Sequence, residues 1–217
     1  MKKLILSIST TVFLASCGGE TTSNKSQTIA NDTSKVETPQ VCKKGYDKDA
    51  TEIAFGGFKT TEKKEVKGFF KQFTVKSTKV ADTPEEIFGN AEFSIPVNYL
   101  ETNDLGRNRR IRDEYFGNME ATENITGKVI AFNPDSNQVQ IELTLNSVTK
   151  EIDLNYSVNG DTIALAGSID ILDFNASAGL EALNKACEAL HKGPDGVSKT
   201  WSDVNLYISS VIKETCK

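Results

Sequence analysis

The stretch of sequence that decides the fold runs from Val139 to Ile171 and reads VQIELTLNSVTKEIDLNYSVNGDTIALAGSIDI. Apolar residues occupy every second position in three successive runs, which is the period of a β-strand with one buried face. These positions are Val139, Ile141, Leu143 and Leu145, then Ile152, Leu154, Tyr156 and Val158, then Ile163, Leu165, Gly167, Ile169 and Ile171. Asn159-Gly160-Asp161, between the second and third runs, is typical of a tight hairpin turn. The stretch therefore predicts neighbouring antiparallel strands.

Further strands are predicted on both sides of this stretch. Alternation recurs at Phe93, Ile95 and Val97, over 53–59 and 66–76 around a charged turn at 61–64, and over 204–212. At least seven strands are expected in total.

Two helices are predicted between the strands. One covers Thr83 to Phe88 and has a proline in its first turn. The other covers Ala178 to His191, where the apolar residues are spaced for one helix face: Leu180, Leu183, Ala186, Cys187 and Leu190.

Many short antiparallel strands either stack as a sandwich or close into a barrel, and closure removes the exposed sheet edges that invite aggregation. We therefore predict an all-β fold, an antiparallel eight-stranded barrel with two short helices. In such a meander the start of the first strand lies beside the end of the last, which favours a disulfide between Cys42 and Cys216. Pairing of Cys187 with one of these two is the alternative, because connectivity does not follow from sequence.

The N-terminal segment predicts export. Lys2-Lys3 is followed by an apolar stretch from Leu4 to Ala15 that is too short to span a bilayer. It ends in Leu14-Ala15-Ser16-Cys17, which resembles a lipobox. We expect a signal peptide over 1–16, lipid attachment to Cys17 and a polar, flexible tether over 17–41. The barrel would occupy 42–217, facing the periplasm or the cell surface from a bacterial membrane.

Composition excludes several classes of function. The 217 residues carry a net charge of −5, so a nucleic-acid partner is not expected. The chain has one histidine, and its scattered cysteines lack the spacing of a zinc site. We interpret His191 as a cationic cap at the end of the second helix. No catalytic residue and no metal are predicted; an enzyme using Asp113, Glu114 and Tyr115 as acid and base is a weak rival, since nothing orients these groups.

The segment from Gly106 to Met119 is unusual in its charge. Arg107, Arg109, Arg110 and Arg112 precede Tyr115 and Phe116 in what we interpret as a loop followed by aromatic residues. One interpretation is a cationic rim at a pocket mouth that meets an acidic head group, with Tyr115, Phe116 and Met119 over the entrance. The other is a solvated run of charges that pair with one another.

Three groups of motifs together resemble the YceI-like family of lipocalin-like, polyisoprenoid-binding proteins. The resemblance covers about Thr51 to Lys213. The first motif is Phe58-Lys59 with Val66-Lys67-Gly68-Phe69-Phe70. The second is Thr102-Asn103, Arg107-Asn108 and Tyr115-Phe116-Gly117, and the third is 143–150 with the following strand over 169–174. Asn108 stands where the family commonly has aspartate, and Ser147 replaces the usual glycine. Residues 178–200 look like an insertion seen in some lipoprotein members.

The resemblance implies a barrel whose apolar channel holds a long amphiphile, such as an isoprenoid, a polyprenyl chain or a quinone-like lipid. Such a protein binds and does not catalyse, and it needs no cofactor besides the lipid. The predicted ligand-binding residues are Phe55, Phe70, Phe93, Ile95, Val97, Phe116, Met119, Leu143, Leu154, Ile169 and Ile171, with Arg107 and Asn108 at the mouth. The alternative is a filled barrel that acts as a structural or interaction lipoprotein, because eight strands suit either interior. A homodimer is left open.

Overall fold

The computed structural model describes residues 42–216, which form one antiparallel sheet of ten strands with three short α-helices. The strands are β1 (Cys42–Lys59), β2 (Lys64–Phe70), β3 (Thr74–Lys76), β4 (Glu92–Pro96), β5 (Leu100–Glu101), β6 (Asn124–Asn133), β7 (Gln138–Leu145), β8 (Val148–Asn159), β9 (Thr162–Asp170) and β10 (Thr200–Cys216). The helices are α1 (Pro84–Phe88), α2 (Leu105–Arg110) and α3 (Ser177–Ala186). The predicted signal peptide, the lipidated Cys17 and the tether lie outside the described residues.

The sheet curls into a barrel because β10 returns to pair with β1. β2 pairs with β5, and β3 pairs with β4. The chain segment that contains β2 and β3 therefore runs antiparallel to the segment that contains β4 and β5. The antiparallel, mostly β class is confirmed, but the predicted count of eight strands is wrong. Residues 71–73 separate β2 from β3, and a 3₁₀ turn at Val97–Tyr99 separates β4 from β5. Pro96 ends β4, since proline has no N–H to donate to the next ladder position.

Two hairpin turns fix the register of the central strands. Gly160, in the turn between β8 and β9, has φ +59°, which glycine adopts without strain. In the turn between β7 and β8, Asn146 and Ser147 have φ values of 50° and 60°, so both central residues are left-handed as in a type I′ turn. Ser147 therefore adopts the conformation that glycine takes most easily.

The helices agree with the predictions in part. The Oγ1 of Thr83 accepts a hydrogen bond from the Glu86 N–H and caps α1, which starts with Pro84 as expected. The second predicted helix is shorter than expected: α3 ends at Ala186, Cys187 leaves the helical conformation, and a 3₁₀ turn follows at Glu188–Leu190. The strand predicted to include Ile171 ends at Asp170, because Asp170 caps a 3₁₀ turn over Ile171–Phe174.

The arginine-rich segment is helical, so its interpretation as a loop is wrong. The Asp104 carboxylate accepts a hydrogen bond from the Arg107 N–H at 2.9 Å and starts α2. A π-helical turn at Ile111–Tyr115 and a 3₁₀ turn at Phe116–Asn118 continue the helical segment after α2. Arginine is a good helix former, and the charged run therefore supports a helix once Asp104 has capped it.

The two ends of the described chain are joined covalently. Cys42 pairs with Cys216 in the register of β1 with β10, and a disulfide connects them. Cys187 is free and buried. Within 42–216, no helix is both long enough and apolar enough to cross a membrane.

Candidate ligand-binding cavity

The barrel encloses a cavity of about 430 Å³. This volume lies in the range of small-molecule binding sites, about 300–1,000 Å³. Its wall consists mainly of the inward-facing apolar side chains of the strands, among them Ile53, Val75, Ile125, Ile152, Val204 and Ile208. The period-2 alternation places these side chains inside because successive residues of a strand point to opposite faces of the sheet.

Ten of the thirteen predicted ligand-binding residues line this cavity. They are Phe55, Phe70, Phe93, Ile95, Arg107, Phe116, Leu143, Leu154, Ile169 and Ile171. Val97, Met119 and Asn108 do not. Val97 is buried in the apolar core, and Met119 packs against that core. Contact of the ten lining residues with a ligand stays a prediction.

Asn108 was predicted at the mouth of the cavity, but its side chain is buried and has a structural role. Its side chain is 2% exposed. Its Oδ1 accepts hydrogen bonds from the N–H and the Oγ1 of Thr102, at 2.8 and 2.6 Å, and its Nδ2 donates to Glu101 Oε1 at 2.7 Å. The Lys71 ammonium, together with Asn108 and the Asn103 N–H, lowers the pKa of Glu101 to about 2. Asn108 therefore holds the turn that leads into α2.

Two of the four arginines reach the cavity. The Arg107 guanidinium donates from Nε to Thr102 Oγ1 at 2.9 Å and from Nη2 to the Thr102 carbonyl at 2.6 Å. Arg110 also lines the cavity, and its Nε is buried without a hydrogen-bond partner. Arg109 and Arg112 lie outside the wall. Within 42–216 none of the four forms an ion pair, which argues against a self-paired run of charges.

His191 lines the cavity, and its interpretation as a cationic helix cap is wrong. Its Nδ1 lies 2.6 Å from Thr200 Oγ1. Burial, with smaller contributions from the charges of Lys59 and Arg110, lowers the pKa of His191 from 6.5 to about 4. Its imidazole is therefore neutral at pH 7. Lys59 is beside it and donates from Nζ to the Leu190 carbonyl at 3.2 Å.

The segment between β9 and β10 covers part of the cavity. Four of the five apolar residues predicted on one helix face line the wall: Leu180, Leu183, Cys187 and Leu190. Gly179 lets α3 approach the π-helical turn closely, since a Cβ there would clash with the Tyr115 carbonyl oxygen. Tyr115 also lines the cavity, and burial raises the pKa of its hydroxyl.

Hydrogen bonds hold this segment and the start of β10 to the β1–β2 turn. Thr61 donates from Oγ1 to Asp195 Oδ2 at 2.7 Å, and Trp201 donates from Nε1 to the Thr60 carbonyl at 2.7 Å. Sequence reasoning missed Lys59, His191 and Thr200 as wall residues. No local pattern indicates that these distant residues meet.

Within 42–216, no group of three or more His, Cys, Asp and Glu side chains is arranged to hold a metal ion. The wall carries one carboxylate, that of Asp104, which already caps α2. The cavity is thus mainly apolar with one polar, mostly cationic region, which suits binding of an amphiphile.

The fold and the cavity define a lipocalin-like binding barrel. A family model described as YceI-like domain matches residues 45–209, and the chain belongs to this family. No curated protein matches the chain.

Solved structures share the fold at low identity. The crystal structure of Burkholderia cenocepacia BcnA is 17% identical with a TM-score of 0.55, and the match covers 76% of this chain and 98% of that one. A polyisoprenoid binding domain from Saccharophagus degradans, implicated in plant cell wall breakdown, is 18% identical with a TM-score of 0.55. That match covers 80% of this chain and 98% of the domain.

Proposed function

We propose that the protein is a non-enzymatic carrier, scavenger or sensor that holds a long apolar amphiphile inside its barrel. The observation that carries this proposal is the hollow, apolar interior of about 430 Å³. A filled barrel, the alternative considered from sequence, would have side chains in that space. Family membership and the polyisoprenoid binding domain among its structural neighbours support an apolar ligand.

The ligand that we propose is an isoprenoid, a polyprenyl chain or a quinone-like lipid. Burial of such a chain contributes about 25 cal/mol per Å² of apolar surface, so affinity needs few polar contacts. Native mass spectrometry of the full chain from its own host, followed by solvent extraction, would identify what it carries. A reproducible one-to-one lipid is expected. A protein that stays empty when offered quinones and polyprenyl chains would contradict the proposal.

Filling the cavity should block binding. Ile169, on β9, lines the cavity, whereas its neighbour Ser168 is exposed on the opposite face. We expect Ile169→Trp to weaken lipid binding by at least about tenfold while the protein stays folded, because the added ring occupies open space. Ser168→Trp is the matched control and should bind as the wild type does. Wild-type affinity in Ile169→Trp would show that the ligand lies elsewhere.

We also propose that lipid on Cys17 anchors the protein in the bacterial cell envelope. The lipobox-like Leu14-Ala15-Ser16-Cys17 supports this, as does the Cys42–Cys216 disulfide, since such bonds persist mainly outside the cytosol. Cys17→Ser should move the protein from the membrane fraction to the soluble fraction. An unchanged membrane fraction in that variant would contradict the anchor.

A further inference from the structure

Cationic groups collect in one region of the otherwise apolar cavity wall. Lys59 at the end of β1 and Arg107 and Arg110 on α2 line the cavity, together with the neutral His191 that follows the 3₁₀ turn at Glu188–Leu190. Lys59 and Arg110 both act electrostatically on His191. The three elements thus bring these side chains close together, although they are far apart in sequence.

The protein matches the positive charge in this region only in part, because the Asp104 carboxylate is the one negative charge that acts on Arg107 and Arg110 from the wall. Asp104 is the one acidic residue of the described wall, and its carboxylate caps α2 through the Arg107 N–H. Within 42–216, Lys59, Arg107 and Arg110 have no carboxylate within 4.0 Å. Three cations therefore face the cavity with one carboxylate beside them.

Arg110 gives the second indication of a ligand. The side chain of Arg110 is partly exposed, but its Nε–H is buried and has no hydrogen-bond acceptor among the described residues. A buried charged donor without a partner is unfavourable, so native structures usually pair it. An oxyanion in the cavity would supply the missing acceptor, and a guanidinium binds carboxylate and phosphate oxygens especially well.

We propose that the ligand is an acidic amphiphile, whose carboxylate or phosphate head is bound by Arg110 with Lys59 and Arg107 beside it. Its apolar chain extends along the wall formed by the strands and by Leu180, Leu183 and Leu190. This inference rests on the proposed function and narrows it. A neutral quinone or alcohol would leave the cationic region without a counter-charge.

The test compares acidic and neutral ligands that share one chain. Binding of dodecanoate, dodecanol, farnesyl monophosphate and farnesol to the full chain is measured by calorimetry, with fluorescence of Trp201, the sole tryptophan, as a second signal. We expect at least one acid to bind about tenfold or more tightly than its neutral partner. The ratio of acid affinity to neutral affinity is compared between the two pairs, and the pair with the larger ratio shows whether a carboxylate or a phosphate head is preferred.

Substitutions of single arginines identify the side chain that is responsible for the preference for acidic ligands. Arg110→Gln should bring the affinities of acid and alcohol to within about twofold, mainly by weakening the acid, because it removes the counter-charge. Arg109→Gln is the control, since Arg109 is exposed and outside the wall. Equal binding of acid and alcohol in the wild type, or an unchanged preference in Arg110→Gln, would overturn this inference and leave the proposed function standing. Absence of binding of all four probes would contradict both.

The pKa of His191, the single histidine of the chain, reports whether the acidic head of the ligand binds in this region. Its ring faces Lys59 and Arg110, and Thr200 lies at its Nδ1. A bound anion offsets the two cations, so the pKa of His191 in an NMR titration of the tag-free protein should rise on saturation with the acid and change less with the alcohol. Equal shifts with both ligands would place the acidic head away from this region and overturn the inference.

Discussion

His191 illustrates how a single residue takes its character from distant neighbours. By itself, a histidine after a helix is expected to carry some positive charge near the helix end. Here burial, together with the charges of Lys59 and Arg110, keeps the imidazole neutral. The residue thereby adds no further cation to the cavity wall.

The lowered pKa of His191 predicts an acid-sensitive contribution to stability. The unfolded chain protonates this residue below about pH 6.5, whereas the folded protein does so only near pH 4. The contribution is therefore fully present above pH 6.5 and is lost as the pH falls from 6.5 to 4. We expect His191→Gln to lose less unfolding free energy than the wild type between pH 7 and pH 4, measured by urea denaturation. Identical pH profiles would contradict the lowered pKa.

Asn108 and Arg107 are adjacent in sequence but have different tasks. Asn108 ties Thr102 to Glu101 below the surface, and Arg107 reaches the cavity while bonding to the same threonine. The amide of Asn108 can donate to the Glu101 carboxylate, which an aspartate at this position could not do when ionised. The departure from the family residue thus suits the neighbouring acid in this chain.

At the scale of elements, the β7–β8 hairpin combines a strained residue with an anchored one. Ser147 is exposed and has φ 60°. Asn146 is buried; its side chain accepts a hydrogen bond from the Glu120 N–H and donates to the carbonyls of Phe174 and Asn175. Asn146 therefore fixes the hairpin, and Ser147 must accept the left-handed conformation.

Ser147→Gly should stabilise the protein by about 0.5–1 kcal/mol. The left-handed conformation costs a residue with a Cβ roughly 1–2 kcal/mol, and the extra flexibility of glycine in the unfolded chain offsets part of the gain. Urea unfolding measures the difference. Ser157→Gly, at an exposed position inside β8, is the control and should instead destabilise by about 0.5–1 kcal/mol. A loss of stability in Ser147→Gly would contradict the account of strain.

The segment between β9 and β10 shows why an element can add to a site without any motif. Its apolar helix face lines the cavity, and Gly179 permits the close approach of α3 to the π-helical turn at Ile111–Tyr115. The periodicity of the sequence predicted which residues share the apolar helix face, but not the part of the molecule that this face covers.

At the scale of the whole molecule, the disulfide links the two strands at which the barrel closes. Cys42 and Cys216 are the first and last described residues, 174 positions apart, so the bond restricts all of the described chain in the unfolded state. In the chain-entropy model, closing a loop of this size stabilises the folded protein by about 5 kcal/mol. The double variant Cys42→Ser/Cys216→Ser should therefore unfold at a lower urea concentration. Reductant should lower the wild-type midpoint and leave that of the variant unchanged; a wild-type midpoint in the variant would contradict the contribution.

The sequence by itself determined the class of fold and most of the apolar wall. Alternation depends only on the two faces of a strand, so Phe93, Leu143 and Ile169 could be placed inside without any knowledge of the partners of their strands. The number of strands was predicted less well, because Pro96 and residues 71–73 interrupt ladders whose continuity depends on neighbouring strands.

Only the tertiary structure decided that the barrel is hollow and that one region of its wall is cationic. Whether inward side chains fill a barrel depends on how their volumes sum across all the strands, which no single strand records. The meeting of Lys59, Arg110 and His191 depends on strand register and on the path of the segment before β10. Charge is a property of a residue in the sequence, but an unpaired charge is a property of the space around it, and the fold alone creates that space.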